Sequence, residues 1–203
     1  MGLIALGVTG GIGAYKSVEI ARGLQQAGHD VVVIMTRSAQ RFIGRVTFEA
    51  ITRRPVCTDG FAPGANTDIG HIALADEIDA LLVAPATANV IAKFALGIAD
   101  DFLTTLVLAT RAPILLAPAM NSNMLRHVTV SQNLATLRTS GMHVISPGKG
   151  YLACGWSGEG RLAEPEDVVS ETLSLLRPVS DLAGHCVLVA AGPRPSLQRL
   201  AAR

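Results

Sequence analysis

Five short aliphatic runs, at residues 3–8, 30–35, 80–84, 114–117 and 142–145, alternate with helix-length amphipathic stretches. Near-continuous aliphatic character in segments this short requires burial on both faces, as in a parallel sheet covered by helices. The alternation therefore predicts an α/β protein built on a doubly wound parallel sheet in three α/β/α layers. Helices are expected at 14–27, 88–96, 102–110, 130–140 and 165–176, with Gly28, Gly97 and Gly141 as C-terminal stops and Pro165 in a first turn. Two stretches break the rhythm. Residues 58–70, rich in Gly, Asp, Asn, Thr and Ala, read as a mobile surface loop delivering the chain to His71. Residues 146–164, with Gly148, Gly150, Gly155, Gly158 and Gly160, read as irregular and lid-like.

Composition narrows the function classes. A chain of 203 residues with 49% hydrophobic and 16% charged residues favours one well-formed core and excludes a disordered chain. Seventeen Lys plus Arg against sixteen Asp plus Glu leave a net charge of +1, so no electrostatic surplus points to nucleic acid or an anionic membrane. No apolar run approaches the roughly 18 residues that a membrane-spanning helix needs, and no secretory leader opens the chain. Cys57, Cys154 and Cys186 are odd in number, far apart and without a CxxC pair. That argues against a disulfide framework and a metal site, and it fits a reducing cytoplasm.

The first aliphatic run enters Gly7-Val8-Thr9-Gly10-Gly11-Ile12-Gly13 and then a helix. A glycine-rich turn at a helix start presents backbone N–H groups to a phosphate. It is not a P-loop, because Tyr15 rather than Gly precedes Lys16-Ser17, and it lacks the G-x-G-x-x-G spacing. The second run ends at Thr36-Arg37-Ser38, with no acid for a ribose 2′-hydroxyl. A mononucleotide whose phosphate also meets Thr36 or Ser38 fits better than a dinucleotide. Read from these residues alone, a turn that only packs helix on strand remains open.

Pro85-Ala86-Thr87-Ala88-Asn89 and Pro118-Ala119-Met120-Asn121-Ser122-Asn123-Met124 stand at the ends of two further runs. Small residues there admit a flat ring, and Asn offers donors and acceptors without charge. Each also reads as a strand-to-helix turn with Asn as an N-cap. His71 carries no signal of its own beyond that of His29, His127, His143 and His185. Cys154, in Ala153-Cys154-Gly155-Trp156, lies in a glycine-rich stretch rather than an apolar element. A cysteine so placed can act as a nucleophile or proton donor.

Four blocks carry a resemblance: GVTGGIGAYKS at 7–17, HIALADEIDALLVAPATANVIAKFALGIADDFLTT at 71–105, PAMNSNM at 118–124 and GYLACGWSGEGRLAEP at 150–165. In this order and spacing the chain, over roughly residues 2–178, resembles the flavin-dependent cysteine decarboxylases. Within them it is most similar to the phosphopantothenoylcysteine decarboxylase portion of bifunctional coenzyme A biosynthesis flavoproteins. The resemblance implies a Rossmann-like (flavodoxin-like) fold and bound FMN. The FMN phosphate is expected at Gly10, Gly11 and Ile12 and near Thr36 and Ser38, its ring and ribityl chain against Ala86, Thr87, Asn89 and Met120. It implies His71 as the catalytic histidine, Asn121 as holder of the substrate carboxylate and Cys154 as proton donor, with Met124 and Ala153 beside the substrate. It also implies a homotrimer, or a dodecamer of trimers, with sites between subunits.

That chemistry accounts for the parts. An unactivated cysteinyl carboxylate has no electron sink, and a flavin supplies one by oxidising the thiol side before carbon dioxide leaves. The implied substrate is 4′-phosphopantothenoylcysteine and the product 4′-phosphopantetheine. Two departures stand out: Leu162 replaces the Met of many relatives, and residues 179–203 resemble only the start of a phosphopantothenate–cysteine ligase domain, so no ligase activity is expected. The competing readings are an oxidative decarboxylase of a C-terminal peptidyl cysteine, a catalytically inactive flavin-binding regulatory subunit and, more distantly, a prenylated-flavin synthase.

Overall fold

The computed structural model describes residues 2–58, 70–151, 155 and 157–176. Strands β1 (Leu3–Val8), β2 (Asp30–Met35), β3 (Ala80–Ala86), β4 (Ile114–Pro118) and β5 (His143–Val144) pair in parallel in the order β2-β1-β3-β4-β5. The helices are α1 (Lys16–Gln26), α2 (Arg45–Thr52), α3 (Gly70–Glu77), α4 (Ala88–Leu96), α5 (Phe102–Ala109), α6 (Ser122–Arg126), α7 (Val128–Thr139) and α8 (Pro165–Leu175). This is the flavodoxin-like strand order, and it bears out the doubly wound sheet expected from the alternation.

Strand periodicity builds the layers. Ile4, Leu6 and Val8 face Ile20 and Leu24 of α1, Phe48 of α2 and Val168 of α8. Ala5, Leu81 and Val83 face the opposite way, onto Val90 and Ile91 of α4, Leu103 and Leu106 of α5 and Leu134 of α7. Each strand thus feeds two apolar clusters, which is why its sequence does not alternate with polar residues. The chain winds from β1 to β2 on one side and then returns to place β3 on the other side of β1. The resulting switch point opens a crevice at the C-terminal ends of β1 and β3, where ligands bind in open α/β sheets.

Several boundaries differ from the sequence reading. The expected helix 14–27 is a 3-10 turn at Ile12–Tyr15 followed by α1, and β5 is only two residues long. Helix α7 starts at Val128, two residues early, because the His127 ring accepts from the Thr129 amide at 3.3 Å. Gly28, Gly97 and Gly141 all have positive φ, as expected of helix stops. Helices α2, α3 and α6 were not anticipated, being short or weakly amphipathic. Residues 59–69 of the expected loop lie outside the described residues, and Gly70 already opens α3.

The largest correction concerns 146–164. Rather than an irregular stretch, it contains an antiparallel hairpin of β6 (Gly148–Tyr151) and β7 (Ser157–Arg161). Gly158 and Gly160 serve close approach to Ser122 and Met120, and Gly148 and Gly150 to Arg161 on the paired strand. Residues 152–154 and 156 lie outside the described residues.

Cys57 continues the sheet edge through a parallel bridge to Ile34, and its thiol is free. Burial pushes that thiol up, which disfavours the thiolate.

Strand β3 carries one extra residue against β4 between Val83 and Ala86, and the Ala84–Pro85 peptide there is cis. Here two hydroxyls from other segments reach the backbone of β3. The buried Ser17 hydroxyl donates to the Ala84 carbonyl at 2.6 Å, and the Thr9 hydroxyl donates to the Pro85 carbonyl at 2.6 Å. Replacing Ser17 by Ala would leave a buried acceptor unsatisfied. Ser17→Ala is expected to cost about 1–3 kcal/mol, read as a lower urea midpoint at an unchanged slope.

Candidate active site

The crevice begins where β1 ends. Gly10 lies so close to Ser38 that a β-carbon on Gly10 would collide with the Ser38 side chain. The turns after β1 and β2 therefore meet in one corner with bare backbone on one side and a hydroxyl on the other. Thr36 braces this corner by accepting from the Ala39 amide at 3.2 Å. Across the crevice, Thr87 caps α4 by accepting from the Val90 amide at 3.5 Å, and its own amide donates to the Thr9 hydroxyl at 3.3 Å. Thr9 thereby couples the glycine-rich turn to the end of β3.

The far wall is made by the turn after β4 and by the hairpin. The Met120 amide donates to the Gly160 carbonyl at 2.9 Å, and the Ser122 hydroxyl donates to the Glu159 carbonyl at 2.6 Å. At Gly160, φ is 134°, and a β-carbon there would collide with the Met120 carbonyl oxygen. Asn121 opens α6, with its Oδ1 accepting from the Asn123 amide at 2.8 Å. That bond fixes the plane of the Asn121 amide.

Between these walls lies a cavity of about 1210 Å³. Single small-molecule sites span about 300–1,000 Å³, so this one has room for a cofactor and a substrate together. Gly10, Gly11, Ile12, Thr36, Ser38, Thr87, Asn89, Met120, Asn121 and Met124 all line it. Ala86 does not: it is fully buried within β3, where its carbonyl accepts from the Ala119 amide at 3.1 Å. His71 is also outside the lining; it sits on α3, edge-on to the Phe102 ring at 6.2 Å. Ala153 and Cys154 lie outside the described residues.

The sequence reading missed part of the wall. Lys16, Arg161 and Leu162 line the cavity, as do Lys93, Asp100 and Asp101. Lys93 donates to both Asp100 oxygens at 2.7 Å, and this bond holds the Asp100 carboxyl below the usual carboxylate range. Lys16 does the same to Glu164 at 2.6 Å. The visible signal was a lysine in the first turn of a helix, on its buried side. Among the described residues no cluster of His, Cys, Asp and Glu could hold a metal ion.

The corner at Gly10 and Ser38 suits a phosphate, and the small residues beside Thr87 suit a flat ring. The FMN implied by the sequence resemblance therefore fits the residues present.

A flavodoxin-like sheet with a phosphate corner and a large cavity at its switch point defines a nucleotide-cofactor-binding α/β protein. The chain belongs to the Flavoprotein family, whose model matches residues 2–177. It is 47% identical over 192 residues to the coenzyme A biosynthesis bifunctional protein CoaBC of Bacillus subtilis, covering 94% of this chain and 47% of that protein. To CoaBC of Mycobacterium tuberculosis it is 45% identical over 193 residues, covering 93% of this chain and 46% of that protein. The chain thus spans about half the length of the curated relatives it matches. A solved PPC decarboxylase mutant complexed with pantothenoylaminoethenethiol superposes with a TM-score of 0.76 at 26% identity, covering 85% of this chain and 97% of that one. The FMN-dependent cysteine decarboxylase SpaF superposes with a TM-score of 0.76 at 30% identity, covering 87% of this chain and 97% of that one.

The Gly10 corner yields a direct test. Gly10→Ala forces the two turns apart at a cost of about 1–3 kcal/mol, so FMN affinity is expected to fall about tenfold or more while far-UV circular dichroism is unchanged. A flavin absorbance titration reads it.

Proposed function

We propose that this protein is an FMN-dependent carboxy-lyase that converts 4′-phosphopantothenoylcysteine to 4′-phosphopantetheine in coenzyme A biosynthesis. The observation that carries the reading is the cavity at the switch point, where Gly10, Ser38, Thr87, Met120 and Asn121 converge. The 47% identity to a CoaBC protein and the superposition on a PPC decarboxylase support it. Residues 1–178 would form the decarboxylase unit, and residues 179–203 a linker and the start of a ligase domain. Among the described residues no helix is long and apolar enough to cross a membrane. With three scattered cysteines, that supports a cytoplasmic setting.

FMN held here would supply a reversible two-electron sink for the cysteinyl side of the substrate. Gly10, Gly11, Ile12, Thr36 and Ser38 hold its phosphate; Thr87, Asn89 and Met120 line the space for its ring and ribityl chain. Asn121 orients the substrate carboxylate through an uncharged amide. An ion pair in its place would stabilise the ground state against losing that group. His71 takes a proton during oxidation, and Cys154 returns one during reduction.

His71 lies on α3 beside Phe102 and away from the cavity of its own chain, which supports a site completed by a second copy. The exposed Ile72, Leu96, Ile98 and Leu108, on or just after α3, α4 and α5, support the packing of such copies. A homotrimer, alone or assembled into a dodecamer, meets both requirements.

The test is anaerobic incubation with phosphopantothenoylcysteine, following flavin absorbance and product mass together. Loss of carbon dioxide alone, with flavin oxidised at the end, is expected. Loss of carbon dioxide plus two hydrogens, with flavin left reduced, would indicate an oxidative decarboxylase of peptidyl cysteine. No mass change despite bound flavin would indicate a regulatory subunit. His71→Asn is expected to slow carbon dioxide release by about a hundredfold or more, and a normal rate would remove His71 from the mechanism. Cys154→Ser is expected to release carbon dioxide and accumulate the oxidised enethiol, and full phosphopantetheine formation would sink the proton-donor role.

A further inference from the structure

Lys16 and Glu164 each break a local rule in order to meet. Lys16 is the first residue of α1, continuing the 3-10 turn Ile12–Tyr15, and it is buried. Lysine is almost never fully buried unless paired. Glu164 occupies the N-cap of α8, yet its side chain caps nothing there. One carboxylate oxygen instead accepts from Lys16 at 2.6 Å, and the other meets Arg161 at 3.3 Å. Two local preferences given up for one contact mark a position where tertiary function outweighs local stability.

The place of that contact gives its purpose. Arg161 ends β7, and Glu164 follows three residues later, before α8. Between them Leu162 is buried beside the glycine-rich turn, where a β-carbon on Gly13 would sit 3.5 Å from that of Leu162. The hairpin pairs with no strand of the main sheet, and a two-stranded ribbon alone is marginally stable. Its placement therefore depends on pins. The Met120–Gly160 and Ser122–Glu159 hydrogen bonds fix it to the end of β4, and the ion pair fixes the outgoing chain to α1.

We propose that the Lys16–Glu164 ion pair sets the position of the cavity wall formed by Gly160, Arg161 and Leu162, so that both are positioning residues for the ligand held there. Removing the Glu164 charge leaves the Lys16 ammonium buried and unpaired, and the lysine then swings outward and releases the wall. The consequence for turnover rests on the decarboxylase reading; the consequence for the wall does not.

Hydrogen exchange on the full-length protein tests the wall directly. Glu164→Gln is expected to speed amide exchange in 157–164 at least about fivefold, with β1 unchanged. Unchanged exchange in 157–164 overturns the proposal. Glu164→Asp keeps the charge and is expected to keep the protection; a loss equal to that of the Gln variant would show that charge does not hold the wall. With phosphopantothenoylcysteine, Glu164→Gln is expected to raise KM about fivefold and leave kcat within about twofold. A fall in kcat at unchanged KM would overturn the positioning role. A wild-type protein that fails to turn this substrate over would sink the decarboxylase reading, and the exchange result would still decide the pair.

Discussion

The site depends on what happens to β3 where it leaves the sheet. At its extra residue the carbonyls of Ala84 and Pro85 accept from side chains of other segments, and an unsatisfied buried carbonyl costs about 1–3 kcal/mol. Ser17 from α1 and Thr9 from the end of β1 supply the missing donors. Those bonds tie the glycine-rich turn, the first helix and the end of β3 into one rigid piece. The crevice at the switch point is the space this piece leaves open.

Around that frame the cavity is closed by contacts that exclude side chains. Gly10 against Ser38 and Gly160 against Met120 are places where backbone takes the room a β-carbon would need. The first makes the phosphate corner, and the second lets the hairpin lie against the turn after β4. Neither contact is large, but each fixes a wall on which the volume of about 1210 Å³ depends. Two lysines at the cavity edge are held in pairs, Lys93 with Asp100 and Lys16 with Glu164. The polar groups around the proposed ring position are uncharged Thr and Asn, a suitable setting for a step that moves electrons while a carboxylate is lost.

A site completed by a second copy, as proposed, would have a physical basis in the fold. Helix α3 lies against α5, on the face of the sheet opposite α1 and α8. His71, near its start, lies outside the cavity lining of its own chain. In one chain the cavity walls are preorganised and the proposed base is elsewhere.

The sequence by itself determined the sheet. Aliphatic runs too short for buried helices and too continuous for half-exposed strands have one stable environment, and β1 and β2 fell where those runs do. It also determined most of the crevice, because glycines and small polar residues at strand ends mark where a chain leaves a parallel sheet, and ten of the expected binding residues line the cavity. Tertiary structure alone decided the rest. Gly158 and Gly160 could not reveal a hairpin, since what they accommodate are Ser122 and Met120, distant in sequence. Lys16 and Glu164, 148 residues apart, carry no local sign of each other. Ala86 fell inside β3 because an extra residue shifted the register, and His71 fell outside the cavity because α3 packs on α5. In each case the deciding force is a contact between segments far apart in the chain, which no local pattern records.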